Sequence, residues 1–313
     1  MNGECRLKVR ILRGDLSPAL KELKFTIDRI KKSPLSLIGM TIILFFVIIA
    51  ILAPVIAPPQ EGKDPYKIPR DGWSPTPRSP SEKHPFGTAE GQYDIFYGCI
   101  WGTRTAFRVG LTIVTCAFLI GVVLGSISGY YGGIIDEALM RITEIFFALP
   151  TLILAMALVV AFGPSLESVM EALIIVGWPS YARLMRGEVL RIRGEDYVEA
   201  AKAVGCSDLR VIIRHILPNA IYPLIIMGSL DIGSMVLSEA ALSFLGLGAP
   251  YGYADWGQMI SYSRNWIIGT PGNPYEYWYT FTIPGIFIFL FVLGWNLLGD
   301  AFRDILDPML RRR

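Results

Sequence analysis

Apolar runs about 20 residues long recur along this chain, and they limit its fold more than any other feature. The first covers residues 35–57; others cover about 107–130, 139–161, 168–190, 220–245 and 281–298. A helix needs about 20 residues to cross a hydrocarbon layer of roughly 30 Å. Lipid offers no partner for a backbone N–H or C=O, so each run must satisfy its own as a helix. The chain is therefore expected to be all-α, a polytopic membrane protein with about six transmembrane helices. Charged residues make up 18% of it, against roughly 25% in soluble domains.

Between the runs the character changes. Residues 1–34 form a basic tail in which Ser17 can cap a helix that starts at Pro18. Leu16, Leu20, Leu23, Ile27 and Ile30 make one apolar stripe, flanked by Lys21, Lys24, Arg29, Lys31 and Lys32. Such a helix is expected to lie in the headgroup layer against anionic membrane lipid. The 35–57 run ends in a motif like a signal-peptide cleavage site, but it is too long for one and reads as a retained helix. Residues 58–105 form an outer loop whose prolines at 58, 59, 65, 69, 75, 77 and 80 forbid regular helix. Its last part, Asp94 to Arg104, predicts an interfacial helix with Phe96, Tyr97 and Trp101 at headgroup depth.

Residues 106–302 hold five more helices, and 303–313 a basic C-terminus. Gly121, Gly125 and Gly129 fall every fourth residue, a small-residue ridge that lets another helix pack closely. Pro150 is expected to kink the third long helix and Pro179 to bend the fourth. Lys and Arg concentrate in the N-terminal tail, at Arg141, across residues 183–214 and at the C-terminus. The positive-inside rule thus places both termini in the cytoplasm of a cell-membrane protein.

Several classes of function are disfavoured. A net charge of +2 gives no basis for nucleic-acid binding. Four scattered cysteines and two distant histidines, His84 and His215, offer no metal or redox motif. No Gly-x-x-x-x-Gly-Lys-[Ser/Thr] loop is present to cradle phosphates. Intramembrane hydrolysis would need a serine–histidine pair, His-Glu-x-x-His or paired aspartates in the spans, and none is found. A secondary transporter would be expected to show inverted repeats, and none is visible.

Residues 191–218 stand out as a charged, soluble-looking insertion between two apolar runs. Residues 195–204 predict a short helix that Gly205 ends in the left-handed conformation. Ser207 or Asp208 then caps a second helix, with Leu209, Ile212, Ile213 and Ile216 as its apolar stripe, before Pro218 leads into the fifth long helix. Together they form an elbow between the fourth and fifth long helices.

Glu199-Ala200-Ala201, Gly205 and Leu217-Pro218 stand in the register of a known signature. It resembles that of permease subunits of binding-protein-dependent ABC importers. The similarity extends over roughly residues 84–310, through His84-Pro-Phe-Gly-Thr88, Gly129-Tyr-Tyr-Gly-Gly133, Gly177-Trp-Pro179 and Asn296-Leu-Leu-Gly-Asp300. These motifs look like the dipeptide, oligopeptide and nickel branch, and its second permease in particular. One stretch departs: where the family usually has Asp and then Gly-Arg-Asp, Ala89, Gln92 and Tyr93 precede the retained Asp94.

The resemblance implies a heterodimer with a sister permease, two cytoplasmic ATPases that bind the elbows, and an extracytoplasmic solute-binding protein. ATP and Mg would be bound by the ATPases, with no cofactor, metal or catalytic residue in this chain. Glu195, Tyr197, Glu199, Ala200, Ala201, Gly205, Leu217 and Pro218 would couple to the ATPase: Glu199 as a charged contact, the alanines as a close-packed face, Gly205 as the turn. The solute would be a di- or oligopeptide, with oligosaccharide or nickel as alternatives. Asp231, Glu239 and Trp178 are candidates to line the path. A carboxylate at depth usually faces a cavity or a partner, so Asp231 could equally pair with the sister subunit.

Overall fold

A computed structural model describes residues 34–306, so the basic tail and the amphipathic helix expected in it fall outside the described residues, as does the closing arginine run. Among the described residues eleven α-helices follow one another: α1 (Pro34–Ile56), α2 (Ile95–Tyr131), α3 (Gly133–Phe147), α4 (Thr151–Phe162), α5 (Leu166–Arg193), α6 (Asp196–Ala203), α7 (Asp208–Val211), α8 (Leu217–Ala220), α9 (Tyr222–Phe244), α10 (Trp256–Tyr262) and α11 (Trp278–Leu306). A π-helical turn, residues 212–216, joins α7 to α8. No strand forms among the described residues; the loops carry only isolated bridges.

By length and composition, α1, α2, α9 and α11 can each cross a membrane, and α3 with α4 adds a fifth crossing if that bent pair is one span. The protein is thus all-helical with four to five candidate spans. The 28-residue α5 falls outside this set because Glu167, Glu171, Arg183, Arg186, Glu188, Arg191 and Arg193 interrupt its apolar residues.

Two expectations need correction. The predicted interfacial helix does not exist separately, because residues 95–131 form one continuous helix of 37 residues. Asp94 caps it by accepting the Tyr97 N–H at 2.9 Å, and no proline follows to interrupt it. Tyr97 and Trp101 are consequently buried under the proline-rich loop: the Tyr97 hydroxyl donates to Pro65 C=O at 2.8 Å and the Trp101 indole to Ala57 C=O at 2.9 Å. The third long helix is broken rather than kinked. Its halves, α3 and α4, meet at 91° across residues 148–150. Proline lacks an N–H and keeps the residue before it out of the helical region, which ends α3 ahead of Pro150.

The glycine ridge lies within the chain, between α2 and α5. A Cβ on Gly125 would stand 2.7 Å from Met185 Cβ, and one on Gly129 would stand 2.8 Å from Val189 Cβ. Around this contact α1 packs on α11 and α2, while α9 packs on α2 and α11. Phe46 of α1 is fully buried against Trp256, Phe287 and Phe291, with ring centroids 5.4–6.0 Å away. A second, smaller core joins α2, α5 and α9 to the 195–220 segment through Val189, Ile192, Val198, Val211, Ile216 and Leu224.

Candidate functional site

The elbow begins where α5 ends at Gly194. Helix α6 closes in a Schellman motif: Gly205, at φ +83°, donates to Lys202 C=O at 2.9 Å, and Cys206 donates to Ala201 C=O at 3.1 Å. Ser207 occupies the cap position of α7, but its side chain makes no capping bond. Pro218 has no N–H to give, and the chain accommodates this with the π turn, in which Leu217 donates five residues back to Ile212.

Burial divides the elbow into two faces. Val198, Ala201, Val211 and Ile216 point into the smaller core, whereas Val204 (80%), Leu209 (67%) and Ile213 (55%) are exposed, together with Tyr197, Glu199 and Ala200. This corrects the predicted apolar stripe, since Leu209 and Ile213 are on the outer side. Ala201 moves to the inner side, because it lies three residues after Val198 on the same helical face. Leu217 is half-buried, while Glu195 and Pro218 are exposed. A cavity of about 490 Å³ opens beside Glu199, walled by Leu190, Arg193, Gly194 and Lys202.

Tyr130, at the end of α2, holds the elbow in place, a role that its position in Gly129-Tyr-Tyr-Gly-Gly133 did not disclose. Its hydroxyl donates to Asp208 Oδ1 at 2.6 Å, its carbonyl accepts from Arg193 at 2.8 Å, and Lys202 Nζ lies 4.9 Å from its ring centre. Arg186 of α5 also grips Asp136 of α3 through two hydrogen bonds of 2.5 and 2.6 Å, and Ser128 donates to that carboxylate as well. An acidic residue in the first turn of α3 was the only sequence signal for this clamp, which joins α2, α3 and α5 next to the elbow.

The deeper candidates separate. Tyr181 of α5, fully buried, donates to Asp231 Oδ2 of α9 at 2.6 Å, so that carboxylate already has a partner within the chain. Trp178, one turn earlier on α5, is half-buried with its ring centre 5.7 Å from that of Phe146. Glu239 sits inside the bundle. It is 3% exposed, accepts from the Ser243 hydroxyl at 2.6 Å and hydrogen-bonds Asp255, which caps α10 by accepting the Gln258 N–H at 2.6 Å. Gly257 permits this contact, since a Cβ there would stand 2.5 Å from Ala240 Cα.

At the opposite end, the proline-rich loop docks on the bundle instead of hanging free. Ile68 donates to Gly252 C=O at 2.8 Å, Ala254 donates to Tyr66 C=O at 2.7 Å, and the Tyr66 and Tyr253 rings stack 5.4 Å apart. His84 lies between two carboxylates, with Nδ1 2.6 Å from Asp94 and Nε2 3.5 Å from Asp71. The Lys83 ammonium bonds Asp71 at 2.7 Å. That bond first, and then the His84 imidazole, hold the Asp71 carboxyl below its ordinary range.

The elbow register, the all-helical bundle and its loop cap agree with one family. The family described as "binding-protein-dependent transport system inner membrane component" matches residues 121–312, and the N-terminal transmembrane domain of oligopeptide transport permease C matches residues 24–69. The chain belongs to this family. It is thus a membrane-embedded transport subunit. A dipeptide transport system permease protein of Alkalihalophilus pseudofirmus is 38% identical over 299 residues, 95% of this chain and 93% of the relative. A probable D,D-dipeptide transport system permease protein of Escherichia coli is 41% identical, over 89% of each chain. A chain of the MetNI methionine ABC transporter, solved in inward-facing conformations, is 18% identical over 67% of this chain and 97% of that one, with a TM-score of 0.52. That last likeness bears on the fold alone.

Proposed function

We propose that this chain is one of two permeases of an ATP-driven importer of di- or oligopeptides, with both termini and the elbow in the cytoplasm. It pairs with a sister permease, is surrounded by lipid, and takes solute from an extracytoplasmic binding protein. Two partner ATPases bind ATP and Mg, while this chain is not itself catalytic. The observation that carries this reading is the two-faced elbow. Its inner face is fixed to α2, α5 and α9, and its outer face leaves Glu199, Val204, Leu209 and Ile213 uncovered beside a cavity. A motor that pushed on that surface would move three long helices together. Peptide as the solute is supported by the names of the relatives.

In this reading α5 is the sixth crossing. Its polar residues need not face lipid, because α2, α3, α4 and α9 all pack against it. The path would run beside Trp178 and Asp231, whose second carboxylate oxygen is free to meet a peptide's amino terminus. Uptake of a labelled dipeptide by vesicles holding the assembled transporter tests these assignments. Glu199→Lys and Gly205→Asp should abolish uptake while the chain stays in the membrane; normal uptake with either would remove the elbow from the coupling. Asp231→Asn should change the ranking of competing peptides, and an unaltered ranking would take Asp231 out of the path. The purified chain should hydrolyse no ATP.

A further inference from the structure

The end of the molecule opposite the elbow holds a cavity that neither the elbow nor the Tyr181–Asp231 contact uses. Its volume is about 760 Å³, and its walls come from residues 60–72, from Tyr93 and Tyr97, and from Tyr251 and Gly252. Sites that bind ligands are commonly of this size. The charges in the wall do not balance: Lys63, Lys67 and Arg70 face one carboxylate, Asp64. One Asp64 oxygen already accepts the Tyr66 N–H at 2.9 Å. Among the described residues, none of the three cations has a carboxylate within 4 Å.

What each cation does instead is visible. The Lys63 ammonium donates to Gln60 at 2.6 Å. The Arg70 guanidinium lies 5.2 Å from the Tyr93 ring centre, which orients it without neutralising it. Lys67 has no side-chain partner among the described residues. The backbone that carries them is fixed: Lys67 is bridged to Tyr253 and Arg70 to Tyr93. A rigid concave wall, rich in donors and poor in acceptors, is suited to a carboxylate-bearing ligand, and its rigidity lowers the entropic cost of binding.

We propose that this cavity receives an acidic segment, Asp or Glu side chains, on the surface of the extracytoplasmic binding protein. The proposal rests on the import reading above, in which this end faces outward. A docked protein fits better than a passing solute because no residue of α5 or α9 lines the cavity, so it is not continuous with the Trp178–Asp231 region. Contacts between opposite charges at such a rim steer association and weaken with salt.

The experiment uses the assembled transporter in lipid nanodiscs with the binding protein of the same system. Treatment with a carbodiimide, which joins an ammonium to a carboxylate only when the two touch, should yield cross-linked peptides pairing Lys63 or Lys67 with Asp or Glu of the binding protein. Lys67→Arg should lose the Lys67 product but keep the affinity. The double variant Lys67→Glu with Arg70→Glu should raise the Kd at least tenfold at 50 mM NaCl and flatten its dependence on salt. Cross-links confined to other parts of this face, or an unchanged Kd and salt dependence, would overturn the proposal. So would saturable binding of free dipeptide that the double variant abolishes, which would make the solute the occupant. A transporter that binds the protein normally but imports no peptide counts against the import reading and leaves the pocket standing.

Discussion

Gln92 adopts φ +64°, a conformation that costs a residue with a side chain about 1–2 kcal/mol and that glycine enters freely. Hydrogen bonds offset that cost here: the Gln92 amide donates to Thr76 C=O at 2.6 Å and accepts from the Thr88 hydroxyl at 3.3 Å, inside a buried turn. Gln92→Ala would keep the strain and lose both bonds, whereas Gln92→Gly would lose the bonds and the strain together. Chemical denaturation should therefore find the alanine variant less stable than the glycine variant by about 1 kcal/mol. Equal stabilities would mean that the turn is not strained. Asp71 gives the loop its acid sensitivity. Because its folded pKa is lowered, its contribution is fully present above the ordinary carboxylate value near pH 4 and is lost as pH falls through the lower folded value. Hydrogen exchange in residues 58–84 should rise over that acidic window in the wild type and change less in Asp71→Asn.

Helix-scale features divide by how local their causes are. The end of α6 at Gly205 was legible because one residue supplies both the left-handed conformation and the turn. The start of α2 was not, since Asp94 and a run without proline are equally compatible with a short interfacial helix. Only docking of the proline-rich loop over Tyr97 and Trp101 decides between them. The glycine ridge was legible as a face, but its partner, α5, was not. At that contact a side chain at Gly125 has no room, so Gly125→Val should separate α2 from α5, costing about 1–3 kcal/mol. Thermal melting of the detergent-solubilised protein checks this, with Gly285→Val as a control, where no neighbour lies within 4 Å of the added carbon. Equal melting of the two variants would show that the ridge is not tightly packed.

For the whole molecule, the proposed orientation sets the elbow and the proline-rich loop on opposite sides of the membrane. A cysteine at the exposed Val204 should react with an impermeant maleimide only in inside-out vesicles, and one at the exposed Trp73 only in right-side-out vesicles. Labelling of both from the same side would overturn the six-crossing topology. That count depends on α5, the long helix that hydropathy least favours and one packed by α2, α3, α4 and α9.

The sequence by itself determined that the chain is helical and membrane-spanning, that an elbow interrupts it before Pro218, and which family it belongs to. Those properties follow from run length, from glycine and proline, and from the register of a few residues. Tertiary structure alone decided where the charges go. It bonded Asp231 to Tyr181, Asp136 to Arg186 and Glu239 to Asp255, and among the described residues it left Lys63, Lys67 and Arg70 without a counter-charge. Such side-chain contacts join residues far apart in the chain, so no local pattern records them. The elbow's outer surface has the same origin: spacing gave α6 and α7 their periodicity, but the neighbouring helix ends chose which side to cover.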